Sequence, residues 1–237
     1  MLKRPSNRLR PPLQPAGLPT AQGQRPDEAA RNAGFRRVAG VDEAGRGPWA
    51  GPVVAAAVVL HRRRLSVRID DSKRLTPLQR ARAFDVILRH AEVGFGLACA
   101  AEIDRRNILQ ATLQAMRAAI LDLSEPPDVV LVDGHIAPPI TSPCWPIVQG
   151  DRLSYPIACA SIMAKVLRDR FMTFYHELEP RYAFHLHKGY GTALHAVRLQ
   201  RYGPSLFHRR SFAPVGRCPV QGQATASADE RTHAAPV

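Results

Sequence analysis

Residues Val129-Val130-Leu131-Val132 form an unbroken apolar run that ends at Asp133-Gly134. Successive side chains of a strand point to opposite faces, so four consecutive aliphatic residues need cover on both. A strand covered on both faces implies packed layers above and below it. Around this run, helical and strand-like patterns follow one another, which predicts an α/β layer fold with a mixed central sheet flanked by helices. Residues 37–41 and 52–60 read as strands joined by the turn Gly45-Arg46-Gly47-Pro48-Trp49-Ala50-Gly51, and 93–100 reads as a third strand. Thr76 and Pro77 predict a helix start, with Leu78, Ala81, Phe84, Leu88 and Ala91 as its apolar stripe. Asn107 is placed to cap a second helix facing the core through Leu109, Leu113, Met116, Ile120 and Leu123. Ser154 and Pro156 open a third helix with Met163, Leu167, Phe171, Phe174 and Leu178 on one side. Thr192 opens a short last helix closed by Gly203-Pro204, so the C-terminal part is helical.

The ends read differently. Residues 1–34 carry Pro, Gly, Gln and Arg without apolar periodicity and are expected to form a disordered basic arm. Residues 35–215 form the expected folded domain, and 216–237 a disordered tail. Lys and Arg number 33 against 20 Asp and Glu, a net charge of +13 that favours a polyanion, either nucleic acid or an anionic membrane surface. No apolar run approaches the roughly 20 residues that span a bilayer, and no apolar leader opens the chain, so a cytoplasmic protein without a membrane partner is expected. Cys99, Cys144, Cys159 and Cys218 have no C-x-x-C spacing and read as reduced thiols.

The sharpest chemical signal is Val41-Asp42-Glu43-Ala44-Gly45-Arg46-Gly47. Adjacent residues of a regular strand point apart, so two neighbouring acids share a site only if the chain bends or one contributes its carbonyl. The glycines permit such a bend, and Arg46 between them can approach a phosphate or sugar. An exposed strand end with a tight turn explains this motif alone equally well. Asp133 lies at the end of a buried strand, where open α/β sheets place ligand groups, although Asp-Gly also starts turns. Asp151 precedes the helix near Ser154, and a plain interaction with a helix N-terminus would account for it in isolation. Taken together, four acids in a basic protein make sense if divalent cations sit between them and a nucleic acid. Mg²⁺ takes oxygen ligands, and paired ions can activate water and stabilise a leaving oxygen.

The segments Gly40 to Pro48, Asp71-Ser72-Lys73-Arg74-Leu75, Val132-Asp133-Gly134, Gly150-Asp151, Ala160 to Val166 with Arg168-Asp169, His187-Lys188-Gly189-Tyr190-Gly191 and Arg209 to Val215 resemble those of bacterial ribonuclease HII. The resemblance covers about three quarters of the chain, in order and spacing. It implies a ribonuclease-H-like fold and Mg²⁺ or Mn²⁺ as cofactor. The implied activity is endonucleolytic hydrolysis of the RNA strand of RNA–DNA hybrids, and incision at ribonucleotides embedded in duplex DNA, leaving 3′-hydroxyl and 5′-phosphate ends. On this resemblance Asp42, Glu43, Asp133 and Asp151 are the metal-binding catalytic acids. Gly45, Arg46 and Gly47 sense the ribose 2′-hydroxyl, the group that separates RNA from DNA. Tyr190 packs on the sugar at the junction, and Lys73 and Lys188 contact phosphates. A monomer fits the resemblance. Gln149 stands where the family usually carries Lys, and Trp49 where it carries a smaller or aliphatic residue.

Plainer readings apply elsewhere. Asp169 is expected to pair with Lys165 at i,i+4, with a reserve role as an acid of the site. Ser161 and Lys165 read as structural, the C-terminal histidines as polar surface, and Tyr182 and Phe184 as packing. Two competing functions are a two-metal DNA nuclease and a non-catalytic basic binding module.

Overall fold

A computed structural model describes residues 24–218. Its centre is a five-stranded sheet, built from β1 (Val38–Ala44), β2 (Val53–Leu60), β3 (Ala91–Ala98), β4 (Val129–Asp133) and β5 (Cys144–Ile147), in the order β3-β2-β1-β4-β5. β1–β2 and β2–β3 are antiparallel, whereas β4 runs parallel to both β1 and β5. β4 is buried along Val129–Val132, as its composition requires.

Both faces of the sheet are covered. On one, Ala39, Val41, Ala55, Ala57, Val130 and Val132 pack against α4 (Ile108–Leu121) through Ala111, Ala115, Met116 and Ile120. On the other, Ala56 and Val58 meet Phe84 and Ile87 of α2 (Pro77–His90) and Cys159, Ile162 and Met163 of α6 (Tyr155–Leu178). The alternation along β2 sends odd-numbered residues to one layer and even-numbered ones to the other. Small side chains bring the helices close. A Cβ on Gly40 would lie 2.2 Å from the Pro156 carbonyl carbon, so α6 rests directly on the β1 backbone.

The helix starts obey local capping. Thr76 accepts from Gln79 N–H at 3.2 Å and Gln79 returns a bond to Thr76 N–H at 2.8 Å, a full capping box. Asn107 and Thr192 cap α4 and α8 (Ala193–Tyr202) by accepting from the Gln110 and His195 N–H groups. The expected stripes are less accurate. Leu78, Leu88, Phe174 and Leu178 are exposed, while α6 buries Ser161, Ala164, Arg168 and Met172 instead. The face towards the sheet is rotated from the one that hydrophobicity alone selects, because a buried arginine does not register as core.

Three further elements lie outside the expected pattern. β5 is too short and Pro-interrupted to read as a strand. α3 (Ala100–Arg106) precedes α4, and its Asp104 accepts from Arg210 N–H and Ser211 N–H at 2.9 and 2.8 Å. The third corrects the expected arm. Within residues 1–34, α1 (Pro26–Asn32) packs on β1 and β4 and buries Asp27, Ala29 and Ala30. Asp27 accepts from Tyr155 N–H at 3.2 Å and pairs with Arg31 at 3.1 Å, so polar bonds dock a short helix that lacks an apolar stripe. Residues 1–23 and 219–237 lie outside the described residues. Among those described, no helix is long and apolar enough to cross a membrane, and all four cysteines are free.

The C-terminal part centres on Tyr182 and Phe184, fully buried and stacked at 5.3 Å, beside His187, His195 and His208. These histidines form core rather than the expected polar surface. Ser205 N–H donates to His208 Nδ1 (3.0 Å), which assigns the proton to His208 Nε2. That nitrogen faces His195 Nε2 at 3.0 Å, and His195 Nδ1 in turn donates to the Tyr190 carbonyl at 2.9 Å. The chain of bonds requires neutral rings. Burial, followed by the neighbouring histidines, pulls His208 down to about 3, and burial pulls His195 to about 4.

Two outcomes follow from this packing. Gly40→Ala should cost ~1–3 kcal/mol, because α6 must retreat from β1; an unchanged melting temperature would mean that the helix contact is slack. For His208, the folded pKa lies below the unfolded 6.5, so the unfolded chain binds the extra proton. The stability it contributes is complete above pH 6.5 and is lost as pH falls from there towards about 3. The stability difference between the native chain and His208→Asn should therefore shrink by ~1.4 kcal/mol per pH unit from pH 6 to 4. A difference independent of pH would refute the neutral relay.

Candidate active site

The parallel pairing of β1 and β4 ends at Val41 opposite Val132. Beyond this point the two strand ends stand side by side, and their next residues are Asp42 and Asp133. A cavity of about 480 Å³ opens there, lined by Asp42, Glu43, Asp133 and Asp151 with residues 44–47, Ser72, Lys73, Ser161, Lys165 and Tyr190. The four acids, drawn from three separate stretches of the chain, line one cavity.

Each is placed by local structure. Asp42 lies under α6 and is 6% exposed. Glu43 remains paired with β2 but has lost β4 as a neighbour, which leaves its side chain free to reach the cavity rim. Its N–H donates to Asp42 Oδ1 at 2.7 Å, and its carboxylate pairs with Arg46 at 3.4 Å. Asp133 Oδ1 accepts from Gly150 N–H at 2.7 Å. The left-handed Gln149, φ 56°, turns the chain into α5 (Gly150–Leu153), which carries Asp151.

After Glu43 the chain turns sharply at Gly45, φ +100°, where a Cβ would meet Arg168 Nε at 2.0 Å. Only glycine fits both demands. Across the cavity, Asp71 accepts from Lys73 N–H at 3.0 Å and caps a short 3₁₀ turn, Ser72–Arg74, that presents Lys73. Tyr190, 44% exposed, offers its ring, with Lys165 Nζ and the Arg168 guanidinium 5.9 and 5.7 Å from the ring centre.

The electrostatics are adverse to bare carboxylates. Burial raises Asp42 well above the usual range, and the charges of Glu43 and Asp133 push the same way. Glu43 is raised by burial, opposed by Arg46. Asp151 is raised by burial, then by Asp71 and Asp133. Hard carboxylate oxygens whose charged forms are opposed by burial and by one another are a set that a divalent cation would relieve, so the residues fit Mg²⁺ or Mn²⁺. Among the described residues no three such side chains already close around a single point. Glu43 is held by Arg46 and Asp133 by Gly150.

Some expectations change. Ser161 and Lys165, read as structural, line the cavity, and the Ser161 hydroxyl donates to Ser72 Oγ at 3.0 Å. Their i,i+4 spacing, continued by Arg168 at i+7, was the available signal of a shared face. Lys165 does bond Asp169 at 2.8 Å, and Asp169 is outside the lining. Lys188 is also outside it, donating to Thr173 Oγ1 at 3.0 Å. Trp49 packs on Gly191, where a Cβ would lie 2.2 Å from its ring, and thereby ties the turn to the Tyr190 segment.

Comparison with known proteins identifies the family and the fold. A sequence model of the family Ribonuclease HII matches residues 39–215. The ribonuclease HII of Chlamydia pneumoniae is 50% identical over 183 residues, covering 76% of this chain and 85% of that protein. The solved ribonuclease H2 of Pyrococcus horikoshii superposes with a TM-score of 0.67 at 25% identity, covering 76% of this chain and 96% of the other. Bst-RNase HIII, solved in complex with Mn²⁺, has the same fold, with a TM-score of 0.65 at 16% identity, covering 81% of this chain and 72% of the other. The fold is ribonuclease-H-like, and the chain belongs to the ribonuclease HII family of ribonuclease H hydrolases.

Proposed function

We propose that this protein hydrolyses the RNA strand of RNA–DNA hybrids and incises at single ribonucleotides in duplex DNA, using Asp42, Glu43, Asp133 and Asp151 to hold divalent cations. Family membership supports action on hybrids. The observation that carries the finer reading is the meeting of four acids with a glycine-bounded loop and an exposed aromatic ring in one cavity. A bound Mg²⁺ or Mn²⁺, as in the complex of Bst-RNase HIII with Mn²⁺, supplies the positive charge that lets carboxylates and a phosphate share the cavity and lowers the pKa of water.

The chain's own residues do the selecting. Arg46 and the backbone of Gly45 and Gly47 face the place where a ribose would lie, and a 2′-hydroxyl can both donate and accept there. Tyr190 offers a flat surface for the adjoining sugar. Lys73 and Lys165 reach phosphates from the wall, and Lys188 does so from just outside it. Asp42, the most buried of the four acids, is held in place by Glu43 N–H. Attack by water then leaves 3′-hydroxyl and 5′-phosphate ends. The remaining basic surface holds the duplex largely through phosphates. The protein is read as a cytoplasmic monomer.

Matched duplexes with no, one or several ribonucleotides test the reading. Cleavage should require a ribonucleotide and a divalent cation; equal cutting of the all-DNA duplex would establish a DNA nuclease instead. Asp133→Asn should lower the cleavage rate at least ~100-fold while duplex binding persists. Retained cleavage in that variant, or in chelator, would defeat the metal site. Tyr190→Ala should cost more activity on a single embedded ribonucleotide than Asp169→Ala, since only Tyr190 lines the cavity. The opposite order would remove the sugar contact.

A further inference from the structure

The turn after Glu43 is held in an unusual way. Arg209, fully buried, donates from Nε to the Gly51 carbonyl at 3.0 Å, from Nη1 to that of Arg46 at 2.8 Å and from Nη2 to that of Gly45 at 2.5 Å. Arg168, also fully buried, donates to the carbonyls of Pro52 at 3.0 Å and Ala50 at 3.2 Å. The Trp49 carbonyl accepts from Arg209 N–H at 2.8 Å. Six of the eight carbonyls in residues 45–52 thus point into the protein.

Peptide planarity converts this into an outward arrangement. In a trans peptide the N–H of one residue points opposite to the C=O of the residue before it. Drawing the Gly45 and Arg46 carbonyls onto Arg209 therefore aims the N–H groups of Arg46 and Gly47 away from it. Among the described residues neither of these N–H groups has an acceptor, and both residues line the cavity. Two unpaired donors are presented side by side at the proposed ribose position.

Stability is a poor explanation of the two guanidiniums. Buried charges cost several kcal/mol to desolvate, and apolar residues of similar volume often serve as well. Arg168 Nη1 is buried without any hydrogen-bond partner, a further cost. The two cations also repel each other. What they provide is direction.

Resting on the function proposed above, we infer that Arg209, supported by Arg168, is a specificity-determining positioning residue. It orients the peptides that read the 2′-hydroxyl without touching substrate. Lysine at 209 keeps the charge but has no planar fork for three carbonyls. Arg209→Lys should lower the single-turnover rate constant on a duplex with one ribonucleotide by ~100-fold, the scale of a 1 Å misplacement. It should also narrow the preference for 2′-hydroxyl over 2′-fluoro at the scissile nucleotide, with reaction amplitude retained. A structural defect would lower the amplitude and leave both the rate constant and the preference unchanged, and that result would overturn the inference. Failure of the native chain to cut the same duplex would instead defeat the underlying function.

If Arg209→Lys does not fold, hydrogen exchange of the native protein decides. The Arg209 Nε proton should exchange slowly, and the Arg46 and Gly47 amides should be unprotected in the free chain and protected by the ribonucleotide duplex. Protection of those amides in the free chain, or none with the duplex, would refute the proposal.

Discussion

Asp42 stands at the end of a strand whose preceding residues are completely buried, and three more carboxylates face the same cavity. Burial and neighbouring negative charge both oppose the ionisation of Asp42, Glu43 and Asp151. Much of the surrounding architecture can be understood as containment of that repulsion. Glu43 N–H bonds to Asp42, Gly150 N–H to Asp133, and Arg46 pairs with Glu43. These partners compensate only in part, which is why the site suits a divalent cation and would not attract a phosphate unaided.

The parallel contact between β1 and β4 creates the site, and α6 closes it from beneath. Close approach of the helix to Gly40 lets its N-terminal half reach the strand, so that Ser161 and Lys165 arrive beside the acids. Further along the same helix Arg168 supports the turn and lies against Tyr190. One helix therefore links the acids, the loop and the aromatic ring, and a rigid element holds such groups more accurately than loops do. The C-terminal part completes the support through Arg209 and the neutral histidine relay that ends on the Tyr190 carbonyl.

Much of this was legible from residue order. The run Val129-Val130-Leu131-Val132 announces a strand buried on both faces, and Thr76, Asn107 and Thr192 mark helix starts because capping is a local event. The segments that carry the family resemblance include the four acids and the loop, and these line one cavity. The failures share a cause. Phe174 and Leu178 are exposed although apolar, while Arg168, Arg209, His195 and His208 are buried although polar. Residue type alone mispredicts burial here because it ignores the partners that a side chain meets in the fold. α1 was missed for the same reason, since Asp27 docks it by hydrogen bonds from another element.

The sequence alone therefore determined the layer architecture and the starts of α2, α4, α6 and α8, because these follow from periodicity and from groups within a few residues of each other, whereas the four acids were singled out by the family resemblance. Tertiary structure decided which polar side chains became core and where they point. A guanidinium is buried only if carbonyls from distant segments meet it, and Arg209 finds those of Gly45, Arg46 and Gly51 more than 150 residues away. That meeting is a property of the folded chain, and it sets the direction of the loop's peptide groups.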